Sequence, residues 1–146
     1  LLGLKVFPSI FNQKIKPGKQ SQSDYTSMNE LCIKIKGDKF NHLLFHFILP
    51  YSKWEYASIC YSESFDSLSK GYEDAVWSLG YVAPEHRTDN LSAASKKIGS
   101  RRIATDKWKS FMNHYSVNPT RNNPGKSNEN GSIEKSHDLL KNDIRQ

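Results

Sequence analysis

The sequence predicts an α/β domain built on a mixed sheet of about five strands, three of them antiparallel, flanked by helices. Three observations point there. Period-two alternation places Gln22, Asp24, Thr26 and Met28 on one face of an extended run from about Gln20 to Met28. Two further runs, His42 to Pro50 and Tyr56 to Tyr61, are rich in aromatic, aliphatic and β-branched residues. After them, an apolar stripe at helical spacing is bounded by Ser64 and Gly80, a start and a stop signal.

Each element has its own reason. Residues 1–19 carry four lysines, no acid, Pro8 and a Pro17-Gly18 turn, and read as a basic linker before a domain over 20–146. Leu31 to Lys36 alternates and is expected to continue the sheet after a bend, with a turn at Gly37-Asp38-Lys39. The two aromatic runs, joined around Ser52-Lys53, complete an antiparallel meander. The helix presents Phe65, Leu68, Tyr72, Ala75, Val76 and Leu79 on one side. Tyr81-Val82-Ala83 is a short strand candidate, broken by Pro84 and leading to Asp89. Helices are expected over about Leu91 to Ile98 and Thr105 to Tyr115, with a Pro/Asn-rich loop from Asn118 to Gly125. A last helix from near Ser127 aligns Ile133, His137, Leu140 and Ile144. Three antiparallel strands, a helix, a crossover strand and then helices form the order of the ribonuclease H-like fold.

Composition narrows the class. The chain has 146 residues, 36% hydrophobic, with a mean hydropathy of −0.70, as expected of one soluble domain with a real core. The longest apolar run, Leu43 to Leu49, is interrupted by His46 and is too short to span a bilayer, and no signal peptide is visible. Cys32 and Cys60 fall in predicted strands and read as buried free thiols of a reducing compartment, hence a cytoplasmic location. Trp54, Trp77 and Trp108 fit core anchors, and the five histidines lack any regular ligand spacing. A start at Leu and an end within a helical pattern suggest a piece of a longer reading frame.

The net charge of +6 is unevenly distributed. Residues 94–126 hold eight cations against Asp106 alone, a local charge of +7, whereas residues 51–80 sum to −3. Basic stretches separated by an acidic helix fit a nucleic-acid partner, although most basic stretches are simply solvated.

Three carboxylates stand at strand edges or on a helix: Asp24, Asp89 and Glu134. Aspartate is depleted within strands, so Asp24 asks for a functional reason. Asp89 followed by Asn90 equally suits a helix cap, and Glu134 by itself suits a solvated helix. Converging carboxylates would hold hard divalent cations such as Mg²⁺ or Mn²⁺, and would raise one another's proton affinity when no metal is present.

The runs Pro17 through Thr26, Ser62-Glu63-Ser64-Phe65, Glu85 through Ala94 and Lys126 through Glu134 together resemble the integrase core of bacterial insertion-sequence transposases of the IstA type, in the retroviral-integrase-like superfamily. The resemblance spans about Lys5 to Arg145. It implies an Asp-Asp-Glu site of Asp24, Asp89 and Glu134 that holds two Mg²⁺ ions and performs DNA 3′-end cleavage and strand transfer. Glu129 is the competing third acid, and the 45-position step from Asp89 to Glu134 is longer than in retroviral integrases. A basic helical stretch over 101–115 is expected to absorb the excess. The resemblance further implies DNA (element ends and target), a homo-oligomer on DNA and an ATPase helper as partners. Lys126, Asn130, Lys135, Arg87 and Asn90 are candidate DNA contacts, with His86 and His137 near the acids. Two alternatives stay open: a structure-specific nuclease of the same fold, and an inactive fragment serving as a DNA-binding or assembly module.

Overall fold

The computed structural model describes residues 15–89, 91–122 and 131–145. The chain opens with β1 (Gln20–Ser27), a 3₁₀ turn (Asn29–Leu31), β2 (Lys34–Ile35), β3 (Asp38–Lys39), β4 (Leu43–Ile48) and β5 (Glu55–Cys60). It continues with α1 (Phe65–Leu79), β6 (Glu85–Thr88), β7 (Ser95–Ile98), β8 (Arg101–Ala104), α2 (Asp106–His114), β9 (Asn118–Arg121) and α3 (Gly131–Arg145). The main sheet has five strands in the order β5-β4-β1-β6-β9. β4 is antiparallel to β5 and β1, while β1-β6 and β6-β9 are parallel. The expected mixed sheet is therefore present, with three antiparallel strands followed by parallel ones.

Local chemistry accounts for α1. The Ser64 hydroxyl accepts a hydrogen bond from Ser67 N, and Gly80 closes the helix at φ 71°. Its buried face is Leu68, Gly71, Tyr72, Ala75 and Val76. Phe45 and Phe47 of β4, Tyr72 of α1 and Trp108 and Met112 of α2 form the core on that side of the sheet. At Gly71 the helix touches the sheet directly, because a Cβ there would lie 2.5 Å from the Phe45 ring. α2 carries the same device as α1, with Thr105 as the cap accepting from Trp108 N.

Several expectations from sequence give way. Leu31 to Lys36 leaves the main sheet: β2 and β3 form a separate two-residue ladder. Their loop, Lys36-Gly37, has positive φ at both positions, the pattern of tight hairpins. The crossover strand is Glu85–Thr88, after Pro84 rather than before it. Residues 91–98 are a turn and a strand rather than a helix, since β7 and β8 pair antiparallel across Gly99-Ser100, with Gly99 at φ 58°. The excess between Asp89 and Glu134 is thus occupied by a hairpin and α2 rather than by a basic helix over 101–115. Asn118–Arg121 is the fifth strand, not a loop; Pro119 has no N–H to donate and sits on the outermost strand, where that loss is tolerated.

Among side chains, Trp108 is a core anchor and Trp54 packs against the core, but Trp77 is 81% exposed. Cys32 is exposed outside any strand and Cys60 is half-buried in β5; both thiols are free. Ile144 is exposed on α3, whereas Ile133 is buried. The proposed linker falls mostly on residues 1–14, and the start of the last helix near Ser127 also lies outside the described residues. Among the described residues no helix is long and apolar enough to cross a membrane.

Gly71→Ala should lower unfolding stability by about 1–3 kcal/mol, the usual cost of overpacking a core, measured by chemical denaturation. An unchanged midpoint would mean that α1 can lift from Phe45 without penalty.

Candidate active site

The site begins with a hydrogen-bonded imidazole. His86 of β6 is fully buried, with Nδ1 2.7 Å from the Ser21 hydroxyl and Nε2 2.8 Å from the Ser23 hydroxyl. Ser21 also donates to the Glu85 carbonyl at 3.3 Å. All three groups are satisfied if Ser21 accepts from Nδ1–H and Ser23 donates to Nε2. Burial holds the His86 pKa down at about 3, so the ring stays neutral. Stacked on Phe47 and set edge-on to Tyr72 and Trp108, His86 is a core residue and not a DNA contact.

This bridge fixes the parallel register Ser21↔His86, Gln22↔Arg87, Ser23↔Thr88. One step further along both strands stand Asp24 and Asp89. Since Ser21, Ser23 and His86 face the α1–α2 core, strand alternation turns Asp24 to the opposite side of the sheet. That is the side of α3: His46, the cross-strand partner of Asp24, meets Ser136 and His137 of that helix.

Asp24 is half-buried, and one of its carboxylate oxygens accepts from Tyr25 N at 2.8 Å. Its pKa is raised to about 6, first by burial and then by the negative charges of Asp89, Glu63 and Glu134, with the Tyr25 hydrogen bond opposing. Asp89 and Glu134, the two acids expected beside it, are thus within electrostatic reach. Glu63 is an acid to which the sequence reading gave no role. It follows the C-terminal end of β5, which runs in the same direction as β1 and β6, so chain topology brings all three strand ends to one edge.

Among the described residues no three His, Cys, Asp or Glu side chains are gathered closely enough to hold a metal ion. In chemistry the donors do fit a hard divalent cation: they are carboxylates, and Asp24 has its proton affinity raised first by burial and then by the neighbouring acids.

α3 is tied down by a polar cluster. His46, fully buried, approaches Glu55 with Nε2 2.7 Å from Oε2, and the Ser136 hydroxyl donates to the same carboxylate oxygen. The His46 and His137 rings lie 4.9 Å apart. Burial lowers both pKa values, that of His137 to about 4, with His46 adding to the effect on His137. Lys141 adds a 2.5 Å ion pair to Glu30 in the 3₁₀ turn.

Arg87 is half-buried, 3.6 Å from Glu85, whose carboxylate also receives Gln20 and Thr120. Lys135 is exposed on α3 beside Glu134. Asn90, Lys126, Glu129 and Asn130 lie outside the described residues.

Two predictions follow from these shifts and contacts. Asp24 binds its proton more tightly in the folded state, so folding loses stability as pH rises from about 4 through about 6, then levels. Asp24→Asn should therefore be more stable than wild type above pH 6, by at most about 3 kcal/mol at about 1.4 kcal/mol per tenfold in proton affinity, and equal to it near pH 3. A pH-independent difference in thermal unfolding would refute this. Glu55→Ala takes from the buried His46 its 2.7 Å partner and from Ser136 its acceptor, and should cost about 1–3 kcal/mol, with faster amide exchange along 131–145. Exchange unchanged there would sever the cluster from α3.

No family model matches the sequence. The chain is similar to an uncharacterized protein of Sinorhizobium fredii, y4jA/y4nE/y4sE, at 42% identity over 139 residues, covering 93% of this chain and 28% of that protein's length. Among solved structures it is similar to an intasome of simian T-cell lymphotropic virus in complex with a PP2A regulatory subunit, with a TM-score of 0.68, 19% identity and coverage of 88% of this chain and 40% of that one. It is also similar to the HTLV-2 integrase catalytic core domain in complex with magnesium, with a TM-score of 0.63, 19% identity and coverage of 86% and 69%. The catalytic core domain of BIV integrase gives a TM-score of 0.62, 14% identity and coverage of 86% and 68%. The fold of this chain is the ribonuclease H-like fold of integrase catalytic cores.

Proposed function

We propose that this chain is the catalytic core of a DNA transposase or integrase of the Asp-Asp-Glu type, and that it serves an IstA-type insertion sequence. One observation carries the reading: Asp24 and Asp89 prolong the β1–β6 register side by side, and Glu134 on α3 adds its charge to theirs.

In this reading Asp24, Asp89 and Glu134 would hold two divalent cations, Mg²⁺ or Mn²⁺, which when bound would supply positive charge beside the attacking and departing oxygens. The chain's own contribution is placement. The Ser21–His86–Ser23 bridge sets the spacing of the two aspartates, the Tyr25 N–H orients the Asp24 carboxylate, and the Glu55 cluster holds α3 over the sheet. A water oxygen first attacks a phosphodiester at the element end, freeing a 3′-hydroxyl. That hydroxyl then attacks a target phosphodiester, and one P–O bond forms as another breaks. The partners are DNA, further copies of the chain on DNA and an ATPase helper.

A non-catalytic DNA-binding or assembly module of this fold would neither hydrolyse nor join. A nuclease of this fold would hydrolyse without joining. In the full-length protein with Mg²⁺ or Mn²⁺, Asp24→Asn, Asp89→Asn and Glu134→Gln should each reduce 3′-end joining by about a thousandfold or more, with folding intact. Hydrolysis without joining in wild type would select the nuclease, and joining undiminished in all three variants would remove the acids from the mechanism.

A further inference from the structure

A second feature stands beyond Asp89, on the other side of the sheet edge. The β7–β8 hairpin, α2 and β9 enclose a groove of about 470 Å³. Its inner wall contains the buried Trp108 and Thr88, the residue before Asp89. Its polar lining includes three cations, Arg102, Lys109 and Arg121, each from a different one of those elements, and no Asp or Glu among the described residues.

Lys109 and Arg121 have no ion-pair partner among the described residues. Arg102 leans on the Ser95 hydroxyl at 3.3 Å, and its cross-strand partner in the hairpin is Lys97. Like charges directly opposite destabilise a two-stranded ladder, and ladders this short have little stability of their own. The hairpin is nevertheless fastened to the strand-end segment that carries Asp89. Leu91 N donates to the Asp89 carbonyl, Ser95 N to the Leu91 carbonyl and Thr105 N to the Ala94 carbonyl, all within 2.9 Å. Three cations from three elements lining one groove beside the strand ends suit a run of phosphates, while a free anion would need only one or two of them.

We propose that the groove between the β7–β8 hairpin, α2 and β9 binds the phosphodiester backbone of a nucleic-acid strand. The assignment deepens the proposed function and rests on it for the identity of the polymer, DNA. Binding is measured by fluorescence anisotropy with a labelled DNA duplex and the full-length protein, in EDTA, across 50–300 mM NaCl. A Lys109→Gln/Arg121→Gln variant should bind more weakly and lose about 2 from the slope of log affinity against log salt, about 0.9 for each lost phosphate contact. Lys34→Gln/Lys36→Gln/Lys39→Gln, which removes more charge from the separate β2–β3 hairpin, should leave the slope near wild type. Equal slope losses in both variants would reduce the effect to net charge and overturn the proposal. So would an unchanged slope in the groove variant, equal competition by polyglutamate, or displacement of the duplex by millimolar inorganic phosphate. Because no divalent cation is present, the slopes are read apart from the joining assay: a variant that has lost joining through its acids keeps the wild-type slope.

Discussion

A neutral imidazole between two serine hydroxyls sets the geometry of this molecule. Burying an unpaired polar ring is expensive, and His86 avoids that cost by finding a partner for each nitrogen on the neighbouring parallel strand. Parallel pairs gain slightly less per residue than antiparallel ones, so a side-chain bridge across β1 and β6 adds specificity where the ladder itself is weaker. A one-residue slip would break both hydrogen bonds and would turn Asp24 away from α3. The same contact therefore fixes the strand register and the face on which the acids stand.

Asp24 shows the opposing demand. It is half-buried in the central strand of the sheet, near three other acids, and its ionised form is disfavoured there. Such a placement reduces stability, and natural chains tolerate it chiefly where a bound charge or a reaction compensates. Around it, the α3 face differs from the α1–α2 face in kind. One side is close-packed aromatic core with a glycine-to-ring contact; the other is a hydrogen-bonded cluster of His46, Glu55 and Ser136.

Where local chemistry decided the structure, the sequence was readable. Ser64 and Gly80 bracket α1 because a capping hydroxyl and a left-handed glycine leave few other options. Asp24 stood out because aspartate in particular is depleted within strands. The failures have equally specific causes. Pro119 made β9 look like a loop, since only position at a sheet edge makes proline tolerable in a strand, and position is a tertiary fact. Residues 91–98 carry apolar side chains at spacings a helix also uses, and only the Gly99-Ser100 turn separates β7 from β8. Glu63 was missed because its relevance depends on the direction of β5, which no local pattern encodes. Trp77 reads as core by size alone, yet it points outward from α1.

Pro119 has one more effect. β9 is the terminal strand of the sheet, and a residue without an amide hydrogen interrupts the row of donors along its outer side. A further strand, whether from a misfolded neighbour or from a second molecule, finds an incomplete template there. Growth of the sheet by edge addition is disfavoured at that end, where a continuous backbone ladder would lack one of its donors.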